Sequence, residues 1–255
     1  MRGIVKETGF DPERIAINSN KFMTGNGYMG YRGTMEEFGK EQLVAVNLAG
    51  LYDKVGELWR EPVNAPNGLY LTVSVDGEKL NVLESELGSH AQQLDIANGL
   101  HTRETEFRLS GGSRVALRTE RFVSMDQLHL MALKATIRAD QDCRLVIETG
   151  IDGDVWDING PHLELYQTVE TDGVLSVQAQ SQELKVPVAV TEMCQVSGGE
   201  GGGETTVLAE KTALRRIAVS CKAGEEISLT KFTAVYTGLD AEADIAAAAD
   251  GAVRA

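Results

Sequence analysis

The sequence has few cysteines, no long apolar run and no basic excess, and each shortage excludes a class of protein. Three cysteines, Cys143, Cys194 and Cys221, stand far apart in 255 residues, with no C-x-x-C pair. A disulfide framework and a cysteine-ligated zinc site both need more, so free thiols in a reducing cytoplasm are expected. No apolar stretch approaches the roughly 20 residues that cross a bilayer as a helix. The opening residues, Met1 to Glu7, hold no apolar core of a secretory signal. Net charge is −14, from 24 basic and 38 acidic side chains. That balance argues against nucleic acid and against anionic membrane surfaces as partners. There is no G-x-S-x-G nucleophile elbow. The four histidines, His90, His101, His129 and His162, lack metal-motif spacing and read as surface or hydrogen-bonded side chains.

What the chain does contain, from Leu69 onward, is strands. Asp76-Gly77 separates two strand-like runs, and Thr171-Asp172-Gly173 separates two more. Asp-Gly suits a type I′ hairpin turn, where both central residues need positive φ. Ser110-Gly111-Gly112-Ser113 marks a further hairpin before Arg114–Val123, in which Val115, Leu117 and Thr119 share a face opposite Arg118 and Glu120. Period-two alternation with short turns means antiparallel strands with one buried face. About a dozen such runs and almost no helical periodicity predict a mainly β protein, a large antiparallel sandwich.

Two segments depart from this. Ser197 to Glu204, with five glycines, reads as a flexible acidic loop. From Asp240 onward acids precede a run of alanines, so Asp240 is the expected N-cap of a helix with only Ile245 as a bulky apolar residue. A helix with so little to bury is marginal alone. The expected division is a sandwich over 1–236 and the start of a helical linker over 237–255.

Three stretches hold candidate chemistry. Gly25-Asn26-Gly27-Tyr28-Met29-Gly30 spells G-x-G-x-x-G, but Asn18 to Thr24 is too polar for the buried strand a nucleotide site requires. An ordered, contact-making loop is expected instead. Ile151 to Gly160 is rich in oxygen ligands, but Trp156, Asp157 and Leu163 occupy EF-hand positions that need an oxygen, a glycine and a glutamate. It reads as a solvated acidic turn, with a nonstandard cation site as the other reading. Trp59-Arg60-Glu61-Pro62-Val63-Asn64-Ala65-Pro66-Asn67 gathers an aromatic, a guanidinium and amides, the groups that recognise sugars. The same residues also suit a stiff connection whose amides satisfy local backbone.

Taken in order, these segments resemble the N-terminal domain of glycoside hydrolase family 65, which includes maltose, kojibiose, nigerose and trehalose phosphorylases and acid trehalases. The resemblance rests on Gly25 to Gly33 followed by Glu36-Glu37, Leu48 to Asp53, Glu61 to Asn67, Leu94 to Arg103, Arg121 to Ser124, and Ile151 to Val155. It implies a β-supersandwich joined through a helical linker to an (α/α)6 barrel that holds the active site. It further implies inversion at an α-glucoside. A protonated Glu of the barrel would donate to the leaving oxygen while inorganic phosphate, a co-substrate, attacks from the opposite face. No catalytic, cofactor or metal residue is carried over to this chain. The implied partners are the chain's own barrel, an α-linked glucose disaccharide and, through homodimerisation, a second copy. A free-standing carbohydrate-binding sandwich is the alternative, and the helix-like tail counts against it.

Charge suggests where such a domain would dock. Residues 1–60 carry eight acids and eight bases, whereas the acidic excess, including Glu200, Glu204, Asp240 and Asp244, lies beyond and should face solvent. The neutral part holds Phe22, Met23, Tyr28, Met29, Tyr31, Leu51, Tyr52, Leu58 and Trp59, which do not alternate like strand residues. Asn26, Tyr28, Tyr31, Arg32, Trp59, Arg60 and Asn64 are the candidate barrel-facing or sugar-adjacent residues, since interfaces favour aromatics, Met and Arg. The other reading is that the aromatics fill the sandwich's own core.

Overall fold

The computed structural model describes residues 3–255; Met1 and Arg2, part of the stretch searched for a signal, lie outside the described residues. Ile4–Thr8 (β1) leads through a 3-10 turn into a short helix, Ile15–Lys21 (α1). Thr24–Gly25 (β2), Met29–Tyr31 (β3), Val46–Val55 (β4) and Trp59–Asn64 (β5) then form a four-stranded sheet in sequence order. Asn67–Val75 (β6), Glu78–Leu80 (β7), Glu86–Asp95 (β8), Leu100–Arg108 (β9), Arg114–Val123 (β10) and Leu130–Ala139 (β11) follow. Cys143–Asp152 (β12), Leu163–Thr171 (β13), Val174–Ser181 (β14) and Pro187–Ser197 (β15) come next. Glu200–Leu208 (β16), Thr212–Cys221 (β17), Glu226–Thr237 (β18) and the helix Ile245–Arg254 (α2) are the last elements.

The large strands make two sheets facing one core. One has nine strands in the order β1-β8-β9-β10-β11-β18-β15-β14-β13, the other five in the order β16-β17-β12-β6-β7. The alternation in β10 is realised: Val115, Leu117, Thr119, Arg121 and Val123 point inward. Both Asp-Gly hairpins form, with φ of 51° and 90° at Asp76 and Gly77 and 50° and 78° at Asp172 and Gly173. This is the mainly β antiparallel sandwich the period-two pattern predicts and the supersandwich the resemblance implies. No helix among the described residues is long and apolar enough to cross a membrane.

Four expectations need correction. Ser197 to Glu204 is no loose loop, because from Glu200 it pairs as β16 along β17, with a register break between Gly201 and Gly203. Its glycines are spent on that bulge and on the turn at Gly198 and Gly199, both with positive φ. Strands do not start at Leu69: β1 joins the nine-stranded sheet, and residues 24–64 supply the four-stranded one. The helix N-cap is Asp244, whose Oδ1 accepts from the backbone N–H of Ala246 and Ala247 at 3.1 and 3.0 Å. Asp240 turns inward instead and accepts from Thr237 N at 2.7 Å. Nor is α2 unsupported: Ala249 and Val253 pack on Val174, Ala189 and Ala234 of the nine-stranded sheet's outer face. Alanine lets a helix approach a sheet closely, which compensates for its small apolar area.

Between the nine-stranded sheet and the segment after β3 lies a buried ion cluster. Glu36 is fully buried and accepts from Arg121 Nη1 at 2.6 Å and from Arg103 Nη1 at 3.0 Å. Arg103 Nη2 also donates to Glu37 at 2.9 Å, and the Arg121 guanidinium lies 4.9 Å from the centre of the Tyr31 ring. Burial pushes the Glu36 carboxyl up, but the Arg121 and Arg103 charges outweigh it and hold it at about 2. A carboxyl depressed in the folded state contributes stability above its unfolded value of 4.5 and loses it as pH falls toward 2. Stability of the chain should therefore decline across that window. Glu36→Gln should cost about 3–5 kcal/mol at neutral pH, because it leaves buried guanidinium charge unmatched. Urea unfolding at pH 7 and between pH 5 and about pH 2 checks both.

Candidate functional site

The segments that carry candidate chemistry converge around the four-stranded sheet. The hairpin of β4 and β5 brings Asp53 opposite Glu61 in register. Both side chains turn inward, and His162 sits between them. His162 Nε2 is 2.7 Å from Glu61 Oε1, which requires Nε2–H to donate there, while Nδ1 is 3.7 Å from Asp53 Oδ2. Asn159 gives Glu61 two further bonds, from its backbone N–H at 2.7 Å and from Nδ2 at 2.8 Å. Burial raises the Glu61 carboxyl, but the hydrogen bonds from His162 and Asn159 outweigh that and hold it at about 2. Asp53 accepts from the backbone N–H groups of Gln182, Glu183 and Leu184 at 3.0 to 3.3 Å. The carboxylate pair thus ties three separated stretches of chain together.

Asn64 extends the same knot. Its Oδ1 accepts from Val46 N at 2.7 Å, and its Nδ2 donates to Val44 O and Trp156 O at 2.9 and 3.0 Å. Asp157 accepts from Asn64 N and His162 N, and the Trp156 indole donates to Val44 O at 2.8 Å. Burial pushes the Asp157 carboxyl up, partly offset by those two backbone bonds. The acidic stretch read as a solvated turn is therefore half anchored: Asp154 meets Lys40 at the surface, whereas Asp157 and Trp156 face inward. Among the described residues no group of three or more His, Cys, Asp or Glu is placed to hold a metal ion.

The glycine-rich motif is a hairpin rather than a loop. Gly25 pairs Gly30, and Asn26 Oδ1 accepts from Tyr28 N and Met29 N at 3.0 and 2.9 Å. No helix starts within Gly25 to Gly33, and the next helical turn is a single 3-10 turn at Lys40–Gln42, so the motif does not open a helix N-terminus as a phosphate cradle requires. Asn26 Nδ2 reaches across to Ser124 O and Leu128 O at 2.6 and 2.8 Å. Tyr28 donates its hydroxyl to Asp240 at 2.7 Å and meets His129 edge-on, while His129 stacks on Tyr236 at 3.8 Å. Burial and the Asp240 carboxylate both raise the Tyr28 phenol. At Gly33 an added Cβ would stand 2.6 Å from the Phe22 carbonyl carbon, so packing demands glycine there.

The seven candidate residues divide. Tyr31 is 1% exposed, donates its hydroxyl to Asn67 at 3.0 Å and lies in the core; with Asn64, also buried, it cannot reach a partner surface. For these two the core reading is right, because each spends its polar atoms on the chain itself. Phe22, Met29 and Leu51 are buried likewise. Arg32 is half-buried and latches Asn20, Leu43 O and Ala16 O at 3.0 to 3.2 Å. Asn26 and Tyr28 are partly exposed, and Arg60 is exposed. Tyr52, Leu58 and Trp59 are 45%, 73% and 53% exposed around the β4–β5 hairpin. Asp53, Glu61, Asp157, Asn159 and His162 escaped the list of candidates. The Tyr-Asp and Glu-Pro-Val-Asn strings hinted at the first two, and nothing in the sequence spacing links those to His162.

The fold and this face define a β-supersandwich domain whose clustered ionisable groups hold loops in place. The chain belongs to the glycosyl hydrolase family 65 N-terminal domain family, whose model matches residues 5–255. It is 37% identical over 263 aligned residues to nigerose phosphorylase of Lachnoclostridium phytofermentans, covering 94% of this chain and 34% of that protein. It is 32% identical to 1,2-alpha-glucosylglycerol phosphorylase of Bacillus selenitireducens, covering 94% of this chain and 31% of that one. Kojibiose phosphorylase of Escherichia coli is also 32% identical, with 89% and 30% covered. A solved structure from the human microbiome, provisionally described as a kojibiose phosphorylase, superposes with a TM-score of 0.87 over 98% of this chain and 35% of its own, at 14% identity. This last likeness concerns the fold. The chain spans about a third of the length of the curated relatives it matches.

Residues folded into the knot and residues on the hairpin surface should respond oppositely to truncation. Asn64→Ala should cost about 2–3 kcal/mol, since it strands the buried Val46 N–H and the Trp156 carbonyl, while Val44 O keeps the Trp156 indole. Trp59→Ala and Arg60→Ala should stay within about 0.5 kcal/mol of the parent chain. Urea unfolding of the three variants checks this.

Proposed function

We propose that this chain is the non-catalytic N-terminal domain of an inverting phosphorylase of α-linked glucose disaccharides, and that it supports a catalytic (α/α)6 barrel carried elsewhere in the full-length protein. The names of the relatives support the phosphorylase reading, with inorganic phosphate as co-substrate. Residues 237–255, with α2 laid on the outer sheet face, begin the helical linker. The full-length protein is a cytoplasmic homodimer in this reading.

The observation that carries the supporting role is the β4–β5 hairpin. Its inner face is bolted down by Asp53 and Glu61, yet Tyr52, Leu58 and Trp59 remain largely exposed beside Arg60. Exposed aromatics on a rigid base, with an arginine among them, suit the centre of an interface. Phosphate attack needs no activating base, so the only proton the chemistry demands comes from a barrel carboxylic acid.

Two measurements test this. The full-length protein, given inorganic phosphate and a panel of maltose, kojibiose, nigerose and trehalose, should release β-glucose 1-phosphate, whereas the 255-residue chain should release none. Turnover by the 255-residue chain would overturn the non-catalytic role. Leu58→Ser with Trp59→Ser should lower the thermal midpoint of the full-length protein and leave that of the 255-residue chain unchanged; equal effects on both would remove the docking role.

A further inference from the structure

At one end of the sandwich two connections run side by side between the sheets. β11 passes through residues 140–142 into β12, and β17 passes through 222–225 into β18. β11 neighbours β18 in the nine-stranded sheet, and β12 neighbours β17 in the five-stranded one. The two arches are laced together. Gly224 N donates to Ala139 O at 2.8 Å, Ala223 N donates to Asp142 Oδ1 at 2.9 Å, and Lys222 Nζ meets Asp142 Oδ2 at 3.0 Å.

At the base of the arches Cys143 opens β12 and Cys221 closes β17, and the two are direct register partners. Opposed residues on antiparallel strands point to the same face, with Cα atoms about 5.5 or 4.5 Å apart according to the hydrogen-bonding position. A disulfide accepts Cα separations of about 4.4–6.8 Å, so either position qualifies. Cys221 is buried and Cys143 half-buried, which leaves Cys143 the more accessible to a small reagent. Cys194 is set apart on β15, where its register partner is Lys231.

We propose that Cys143 and Cys221 are a cross-strand dithiol, a redox modification site that a low-molecular-weight disulfide closes into a staple across the two arches. The Cys143 thiolate attacks one sulfur of that reagent and expels its first thiol. Cys221 then attacks the Cys143 sulfur and expels the second. One sulfur–sulfur bond is broken and one is kept in the protein; two electrons and two protons pass to the reagent, which leaves as two thiols. Burial pushes both protein thiols up, Cys143 to about 11, so capture is slow at neutral pH and the site answers sustained oxidation.

The test is oxidation of the folded 255-residue chain with oxidised glutathione, followed by alkylation, peptide mapping and thermal unfolding. Two of the three thiols should be lost, a Cys143–Cys221 crosslinked peptide should appear, and the midpoint should rise by roughly 5–15 °C, reversibly with dithiothreitol. Cys194→Ala should keep all three effects, and Cys143→Ser should abolish them. Cys143→Ala provides a second variant should the serine disturb folding. Three thiols surviving in the folded chain, a glutathione adduct that persists on Cys143, or a crosslink involving Cys194 would each overturn the proposal.

Discussion

The contact on which the rest of the architecture depends is the sharing of one carboxylate, Glu36, between two buried arginines, Arg103 and Arg121. The arginines stand on neighbouring central strands of the nine-stranded sheet, while Glu36 comes from the segment after β3. Closing this cluster fixes where that segment lies. It thereby fixes β3, then the sheet built on β3, and finally the hairpin of β4 and β5. Buried ion pairs seldom add much stability over apolar packing, but they are costly to break and allow few alternative placements. Here that intolerance seats an irregular N-terminal layer on a regular sandwich.

The same logic explains what the family motifs contain. Glu36, Arg103 and Arg121 come from three of the strings that resemble family 65, and Asp53, Glu61, Asn64 and Asn67 from two more. Each makes buried hydrogen bonds or ion pairs to distant chain. Their pattern was readable because tertiary ties between loops demand particular residue types at particular places. It describes how the domain is tied together, and it sits on top of a core that many apolar sequences could fill.

How far the fold could be read from sequence follows from which side chains face inward. The Asp-Gly hairpins and β10 were plain, because turn chemistry and apolar alternation agree there. β8 and the first half of β9 carry little strand signal, because their inward residues include His90, Gln92, His101 and Arg103. Polar residues facing a polar cluster erase the alternation that marks a strand. Within the site, the Trp59–Asn67 stretch offered two readings of Asn64, sugar-adjacent or backbone-satisfying, and the second is realised, on backbone as far away as Trp156. The partnership of Asp53 and Glu61 with His162 was not legible, because residues about a hundred positions apart meet only once the small sheet has docked. Tyr31 looked like an interface aromatic for a related reason: its cation–π contact and its bond to Asn67 are both long-range.

The edge strand β16 has every residue exposed, and its pairing with β17 slips between Gly201 and Gly203. A long open edge is ordinarily a template on which another chain can add its own strand. A neighbour trying to do so here would meet a rung spacing that changes partway along, together with the charges of Glu200 and Glu204. Its own strand would have to carry a matching dislocation to continue. The sandwich therefore ends in a seam that does not propagate, which should keep a concentrated solution of the domain from growing by sheet extension.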